Sequence, residues 1–168
     1  MSQILSLLVR NKPGVLSRVL ELFRECGCNV ETLNVAPIQD QTISRITLSA
    51  CAGEELMAQV RTRLQSEADV LTVIPYDPAT HVAREMALVR VSVKEETRRE
   101  VLALSEVFRA RVIDASPYSY IFEVTGQSEK IDAFFDNVRV YGIDEVHRTG
   151  KLTLTRGSAA VRDGSPAA

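Results

Sequence analysis

The chain has no tryptophan, only two histidines and three cysteines, and aromatic residues make up 5% of its 168 positions. Each scarcity narrows what it can do. His81 and His147 lie in different halves of the chain, and neither belongs to a metal-binding or nucleophile motif. Three cysteines without regular spacing imply no disulfide framework and fit a reducing compartment. Cys26 and Cys28 flank Gly27, but no second Cys or His pair at matched spacing completes a metal site. No base or cationic neighbour is identifiable to activate a thiol, so all three read as structural. A Walker loop and a G-x-G-x-x-G turn are both missing. The carboxylates are scattered over helix faces, where solvation is their default role. The expectation is a chain with no catalytic residue and no metal site.

Long apolar runs are missing too. None reaches the ~18 residues of a membrane-spanning helix, and no secretory signal pattern opens the chain. The net charge is -2, and no run of Lys and Arg forms a basic patch. Arg98-Arg99 sits among Glu95, Glu96 and Glu100 and reads as a solvated helix face. These features predict a soluble cytoplasmic protein with neither nucleic acid nor membrane as partner.

What is present is the composition of a globular protein, 45% hydrophobic and 25% charged. Residues 3–9 form a short apolar strand. Leu16, Val19, Leu20 and Phe23 then recur at helical spacing. Strand-like stretches at 29–36 and 42–50 flank hairpin chemistry at Pro37 and Gln39–Gln41. A helix fits 53–66 with Leu56 or Met57, Val60 and Leu64 inward, and a strand fits 69–75. This order is a split βαβ unit, four antiparallel strands with both helices on one face. It repeats as strand 86–93, helix 97–109, hairpin strands 111–116 and 119–125, helix 127–139 and strand 143–149.

The fold class predicted is therefore α+β, two tandem ferredoxin-like βαββαβ domains with antiparallel sheets. Domain one spans 1–76, a linker 77–83 and domain two 84–156. The tail 157–168 is small, polar and expected to be disordered. A unit of this size is marginal alone and leaves one sheet face uncovered by its helices. Bare faces or edges are natural places for a second copy, so a homodimer is expected.

The turn Asn11-Lys12-Pro13-Gly14-Val15-Leu16 joins the first strand to the first helix. The N–H groups of Gly14, Val15 and Leu16 lie at a helix N-terminus, lack intrahelical partners and suit a carboxylate. Gly14 permits close approach, and the Asn11 amide can meet an ammonium and a carboxylate together. Asn29 opens the next strand, and Val15, Leu16 and Val30 would wall an aliphatic side chain. These groups suit a free aliphatic α-amino acid. Asn, Pro and Gly are also ordinary turn residues, so local chemistry alone leaves both readings open.

Three spaced motifs add to this reading: Asn11–Arg18, Gly27–Leu33 and Thr42–Thr47. In order they resemble the N-x-x-G-x-L-S-R, G-x-N-[IV]-E-[ST]-L and [TS]-x-S-R-[MI]-T motifs of the ACT domain in regulatory (small) subunits of acetohydroxyacid synthase, also called acetolactate synthase. The second unit is similar to that family's C-terminal domain at 84–91, 108–117 and 130–139. The resemblance implies a subunit without an active site, associated with a catalytic (large) subunit that uses thiamine diphosphate, Mg²⁺ and FAD. It implies a stimulating role and feedback inhibition by valine or another branched-chain amino acid. The effector would lie between two ACT domains, with Asn11, Gly14, Val15 and Leu16 of one chain facing Asn29 and Val30 of the other.

Two departures stand out: Lys12-Pro13 replaces an acidic residue that bacterial members often carry, and Cys28 an aromatic one. The second unit has Lys94–Thr97 at the equivalent turn, without Asn or Gly, so no amino-acid site is expected there. Alternative readings are a stand-alone ACT sensor serving another enzyme or circuit, and a small acylphosphatase-like enzyme on the same scaffold.

Overall fold

A computed structural model describes residues 2–157. The described residues divide into two compact units, one of residues 2–83 with 150–157, the other of residues 84–149.

In the first unit, β1 (Ser2–Arg10), α1 (Val15–Glu25), β2 (Val30–Pro37), β3 (Ile43–Cys51), α2 (Glu54–Gln65) and β4 (Val70–Pro75) follow in order. The sheet order is β2-β3-β1-β4, and every pairing is antiparallel. Leu5, Leu7 and Val9 share a face because side chains alternate along a strand, and their cross-strand partners include Ile46 and Leu48. Both helices cover this face through Val15, Val19, Leu22 and Phe23 of α1 and Met57, Val60 and Leu64 of α2. The α1 stripe is thus rotated from the expected one: Val19 and Phe23 are buried, whereas Leu16 and Leu20 are only half-buried flanks.

The opposite sheet face is not bare, contrary to expectation. Ile4, Ser6, Leu8, Thr47 and Ser49 on it are buried. The chain returns to this unit at Gly150, whose Cα approaches Thr32 so closely that a Cβ would meet the Thr32 Cβ at 2.7 Å. Thr32 in turn shares a 2.7 Å hydrogen bond with Ser49. Apolar exposure is found instead on both edge strands, at Leu33 and Val35 of β2 and Leu71 of β4.

In the second unit, β5 (His81–Ser92) leads to α3 (Arg98–Val107), β6 (Arg111–Ala115), β7 (Ser119–Gly126), α4 (Ser128–Val138), a 3-10 turn (Arg139–Tyr141) and β8 (Ile143–Arg148). The order β6-β7-β5-β8 repeats the first sheet. Its core joins Ala87, Val89 and Val91 to Phe122, Val124, Ile131, Phe134 and Val138. An ion pair to the buried Glu85 staples it: Arg148 donates to both oxygens of Glu85, at 2.6 and 3.0 Å, and the Ser128 hydroxyl donates to the same carboxylate at 2.7 Å.

Two features differ from the pattern expected. β5 opens at His81, inside the span assigned to the linker, and a ninth strand, β9 (Leu152–Thr155), pairs with it. Just beyond β9 the Arg156 N–H donates to the Thr80 carbonyl at 2.7 Å. In space, residues 150–157 group with the first unit. Except for Gly157, the expected disordered tail lies outside the described residues.

Candidate functional site: two half-sites at opposite ends of a sheet

β1 delivers the chain to the turn at Asn11. The Asn11 N–H donates to the Thr42 carbonyl at 2.7 Å, and Nδ2 donates to the Gln41 carbonyl at 2.9 Å. The side chain is thereby fixed against the start of β3, and its Oδ1 accepts no bond among the described residues. Gly14 adopts φ +88°, in the left-handed region, and caps α1 without any side-chain bond. A residue with a Cβ there would be strained, although a Cβ itself would meet nothing within 4 Å. The open space and the positive end of α1 coincide at this point. Val15 is buried beneath the turn, and Leu16 is half-buried beside it.

The turn borders a cavity of about 110 Å³ lined by Pro13, Gly14, Val15, Arg18, Val19, Glu67, Asp69 and Val70. Glu67 and Asp69, absent from the sequence reading, lie here because β4 pairs with β1 and the Arg10 N–H donates to the Asp69 carbonyl at 2.9 Å. Their carboxylates take the local cations: Arg18 Nη2 lies 2.9 Å from Glu67, and Lys12 Nζ and Arg10 Nε lie 3.5 and 3.6 Å from Asp69. Glu67 hydrogen bonding raises the Arg18 pKa further above its ordinary value. The signal for this network was the basic 10–18 stretch facing the acidic 67–69 stretch, legible only once the strand order is known.

Asn29 and Val30 stand elsewhere. Asn29 is exposed and precedes β2, whose Val30 pairs with Ala50 at the end of β3. Arg10, by contrast, pairs with Ile43 at its start. Ile43 and Ala50 are seven residues apart, which at ~3.4 Å per residue is about 24 Å. Within one chain, then, Asn11 and Gly14 are held at one end of the sheet and Asn29 and Val30 at the other.

The thiols lie near Asn29 and Val30, Cys26 and Cys28 just before them and Cys51 next to Ala50, the partner of Val30. Burial pushes the Cys28 thiol pKa up, with smaller contributions from Cys26 and Cys51, which leaves it a poor nucleophile. His81 is buried, with Nδ1 2.9 Å from the Thr80 hydroxyl, and His147 is exposed on β8. Among the described residues no group of three or more His, Cys, Asp or Glu is placed to hold a metal ion, and no helix is long and apolar enough to cross a membrane. In the second unit the turn at Lys94 closes on itself, the Lys94 N–H donating to the Thr97 hydroxyl at 3.2 Å.

Comparison with known proteins decides the lineage. Residues 5–72 match the model of the AHAS small subunit-like ACT domain, and residues 84–157 match that of the small subunit of acetolactate synthase. The chain belongs to the acetolactate synthase small-subunit family. It is 40% identical over 163 residues to the acetolactate synthase isozyme 3 small subunit of Escherichia coli, covering 96% of this chain and all of that one. Identity is also 40% over 158 residues with the probable acetolactate synthase small subunit of Archaeoglobus fulgidus, covering 94% of this chain and 99% of that protein. The crystal structure of the acetolactate synthase small subunit from Thermotoga maritima superposes with a TM-score of 0.86 at 31% identity, covering 94% of this chain and 98% of that one. As a small regulatory subunit with an ACT domain, this family member has a catalytic large subunit as its counterpart, and branched-chain amino acid biosynthesis is the pathway of the family.

Proposed function

We propose that this small subunit binds valine, or another branched-chain amino acid, at a site shared by two copies of the chain, and so makes its catalytic partner responsive to the pathway's end product. One observation carries the reading: the two half-sites lie at opposite ends of one sheet. The α1 N-terminus offers the Gly14 and Leu16 N–H groups to a carboxylate, the Val15 N–H donating instead to the Lys12 carbonyl at 3.4 Å, and the Asn11 Oδ1 is available to an ammonium. Asn29 and Val30 add a polar group and an aliphatic wall, but across about 24 Å they cannot serve the same ligand. A second copy meeting the first along the exposed β2 edge, with its Leu33 and Val35, brings the halves together.

Regulation follows from that geometry. A ligand bridging two chains has a different affinity for the dimer arrangement that fits it than for any other, and this difference alone shifts the equilibrium. The chain itself contributes no catalytic group on this reading. Thiamine diphosphate, Mg²⁺ and FAD belong to the catalytic subunit, which the small subunit stimulates and, with effector bound, inhibits.

Calorimetric titration of valine into the purified protein tests the site. The expected result is binding by the wild type, weakened at least tenfold (about 1.4 kcal/mol) by Asn11→Ala and by Asn29→Ala. Equal binding by all three proteins would sink the proposal. Affinity capture from cell extract should also retain a large thiamine-dependent subunit.

A further inference from the structure

The chain passes between its two units twice, after Ala83 and after Thr149, and both segments are tied to one row of the first sheet. The outgoing segment leaves β4 at Tyr76, whose N–H donates to the Ile4 carbonyl at 3.0 Å. Ile4 pairs with Ser49 of β3, and Ser49 pairs with Thr32 of β2. The returning segment lands on that same Thr32. Gly150 is buried, with φ +73°, and a Cβ there would meet the Thr32 Cβ at 2.7 Å and Oγ1 at 2.9 Å. The two anchors therefore stand at opposite edges of the sheet, three strand spacings or about 14 Å apart.

In the second unit entry and exit are bonded to each other. The Thr149 N–H and hydroxyl donate to the Met86 carbonyl at 3.0 and 3.3 Å, and the Met86 N–H donates to the Thr149 hydroxyl at 3.1 Å. The row in the first sheet adjoins the second half-site. Val30 pairs with Ala50, the neighbour of Ser49, and between these two pairs β2 carries one extra residue, Glu31. Such a bulge interrupts the ladder and bends the strand, here just where Asn29 and Val30 lead into β2.

We propose that the Thr149–Gly150 step is the coupling element of this subunit: a ligand held at Asn29 and Val30 displaces β2, and Thr32 passes the displacement through Gly150 to Thr149 and Met86. The inference rests on the effector reading above and gives that reading its route. Coupling is carried by packed contacts and hydrogen bonds, and the Gly150–Thr32 contact has no slack to absorb a shift. The linker is the poorer route. Asn29 and Val30 reach Tyr76 only across β3 and β1, and the turn after Tyr76 is closed on itself. There the Asp77 carbonyl accepts from the Thr80 and His81 N–H groups at 3.1 and 2.9 Å.

Two variants of the full chain loosen the step without touching either half-site. Thr149→Val keeps the side-chain shape and removes the two hydroxyl bonds to Met86, and one glycine inserted between Thr149 and Gly150 adds ~3.3 Å of slack. Valine is titrated by calorimetry, and backbone amide resonances of both units are followed by NMR. In the wild type, valine should shift amides of the second unit, those of Ala87–Val91 among them, as well as those of the first. In both variants valine affinity should stay within about twofold of wild type. Their first-unit shifts should persist, and those of Ala87–Val91 should vanish. In the assembled holoenzyme, the valine concentration for half-inhibition should rise by about fivefold or more. A merely structural role would lower melting temperature and valine affinity together and leave the second-unit shifts in proportion to the first. Second-unit shifts of wild-type size in both variants overturn the proposal, as does their absence in a wild type that binds valine. A wild type that binds no valine fails the effector reading itself, and calorimetry alone shows that outcome.

Discussion

Gly14 and Gly53 both precede a helix, but their backbones differ in a way that predicts opposite responses to substitution. Gly14 has φ +88°, whereas Gly53 has φ -71° and ψ 161°, an extended conformation open to any residue. Gly14→Ala should destabilise the chain by about 1–2 kcal/mol through backbone strain alone. Gly53→Ser should stabilise it by about 0.5 kcal/mol, since a hydroxyl can cap α2 and the unfolded chain loses freedom. Urea denaturation of the two variants checks both signs. Asp40 provides a pH-dependent counterpart. It accepts from the Thr42 hydroxyl at 2.7 Å and from the Thr42 N–H at 2.9 Å, and these bonds hold its pKa below the ordinary carboxylate value. A lowered folded-state pKa gives stability that is present above the unfolded value, about 3.9, and is lost as pH falls through the folded one. Asp40→Asn should therefore be less stable than wild type at neutral pH, with the gap closing in acid. A gap that persists unchanged at pH 2 would show that the carboxylate charge is not its source. Because Thr42 also receives the Asn11 N–H, this turn supports the first half-site.

Elements with a full period of apolar residues were the legible ones. Val60 and Leu64 of α2 and Ile131, Phe134, Phe135 and Val138 of α4 are all buried, as their spacing requires. On α1 the apolar arc is wide, and two stripes satisfy the same spacing. Packing selects the one centred on Val19 because Leu22 joins it from the far side. β9 escaped detection because Leu-Thr-Leu-Thr is too short an alternation to separate from a loop. The candidate site was legible as two separate turns. Their placement at opposite ends of the sheet depends on the order β2-β3-β1, which local pattern does not encode. In the second unit the aromatic cluster is the element to test. Phe134 lies 5.5 Å from Phe108 and 5.8 Å from Phe122, ring centre to ring centre, with no solvent exposure. Phe134→Ala should cost about 3–5 kcal/mol through lost burial and the cavity it leaves. A loss below 1 kcal/mol, measured by thermal or urea unfolding, would mean that the helix collapses onto the sheet and refills the space.

For the whole molecule, a site split between two chains makes a prediction that no single-chain site can match. In a two-fold dimer each of two sites takes Asn11 and Gly14 from one copy and Asn29 and Val30 from the other. The Asn11→Ala and Asn29→Ala homodimers then carry two damaged sites each. Mixed and allowed to exchange subunits, the two variants form hybrids. In a hybrid, one site holds both substitutions and the other holds neither. If pairing is random, about half of the dimers are hybrids, so about a quarter of all sites should regain wild-type affinity. A valine titration of the exchanged mixture reads that fraction directly, against an unmixed control with none. Recovery requires the two half-sites to come from different chains, since an intramolecular site would carry one substitution in every copy and recover nothing. The same hybrids, bound to the catalytic subunit, would then show whether one occupied site per dimer is enough to inhibit.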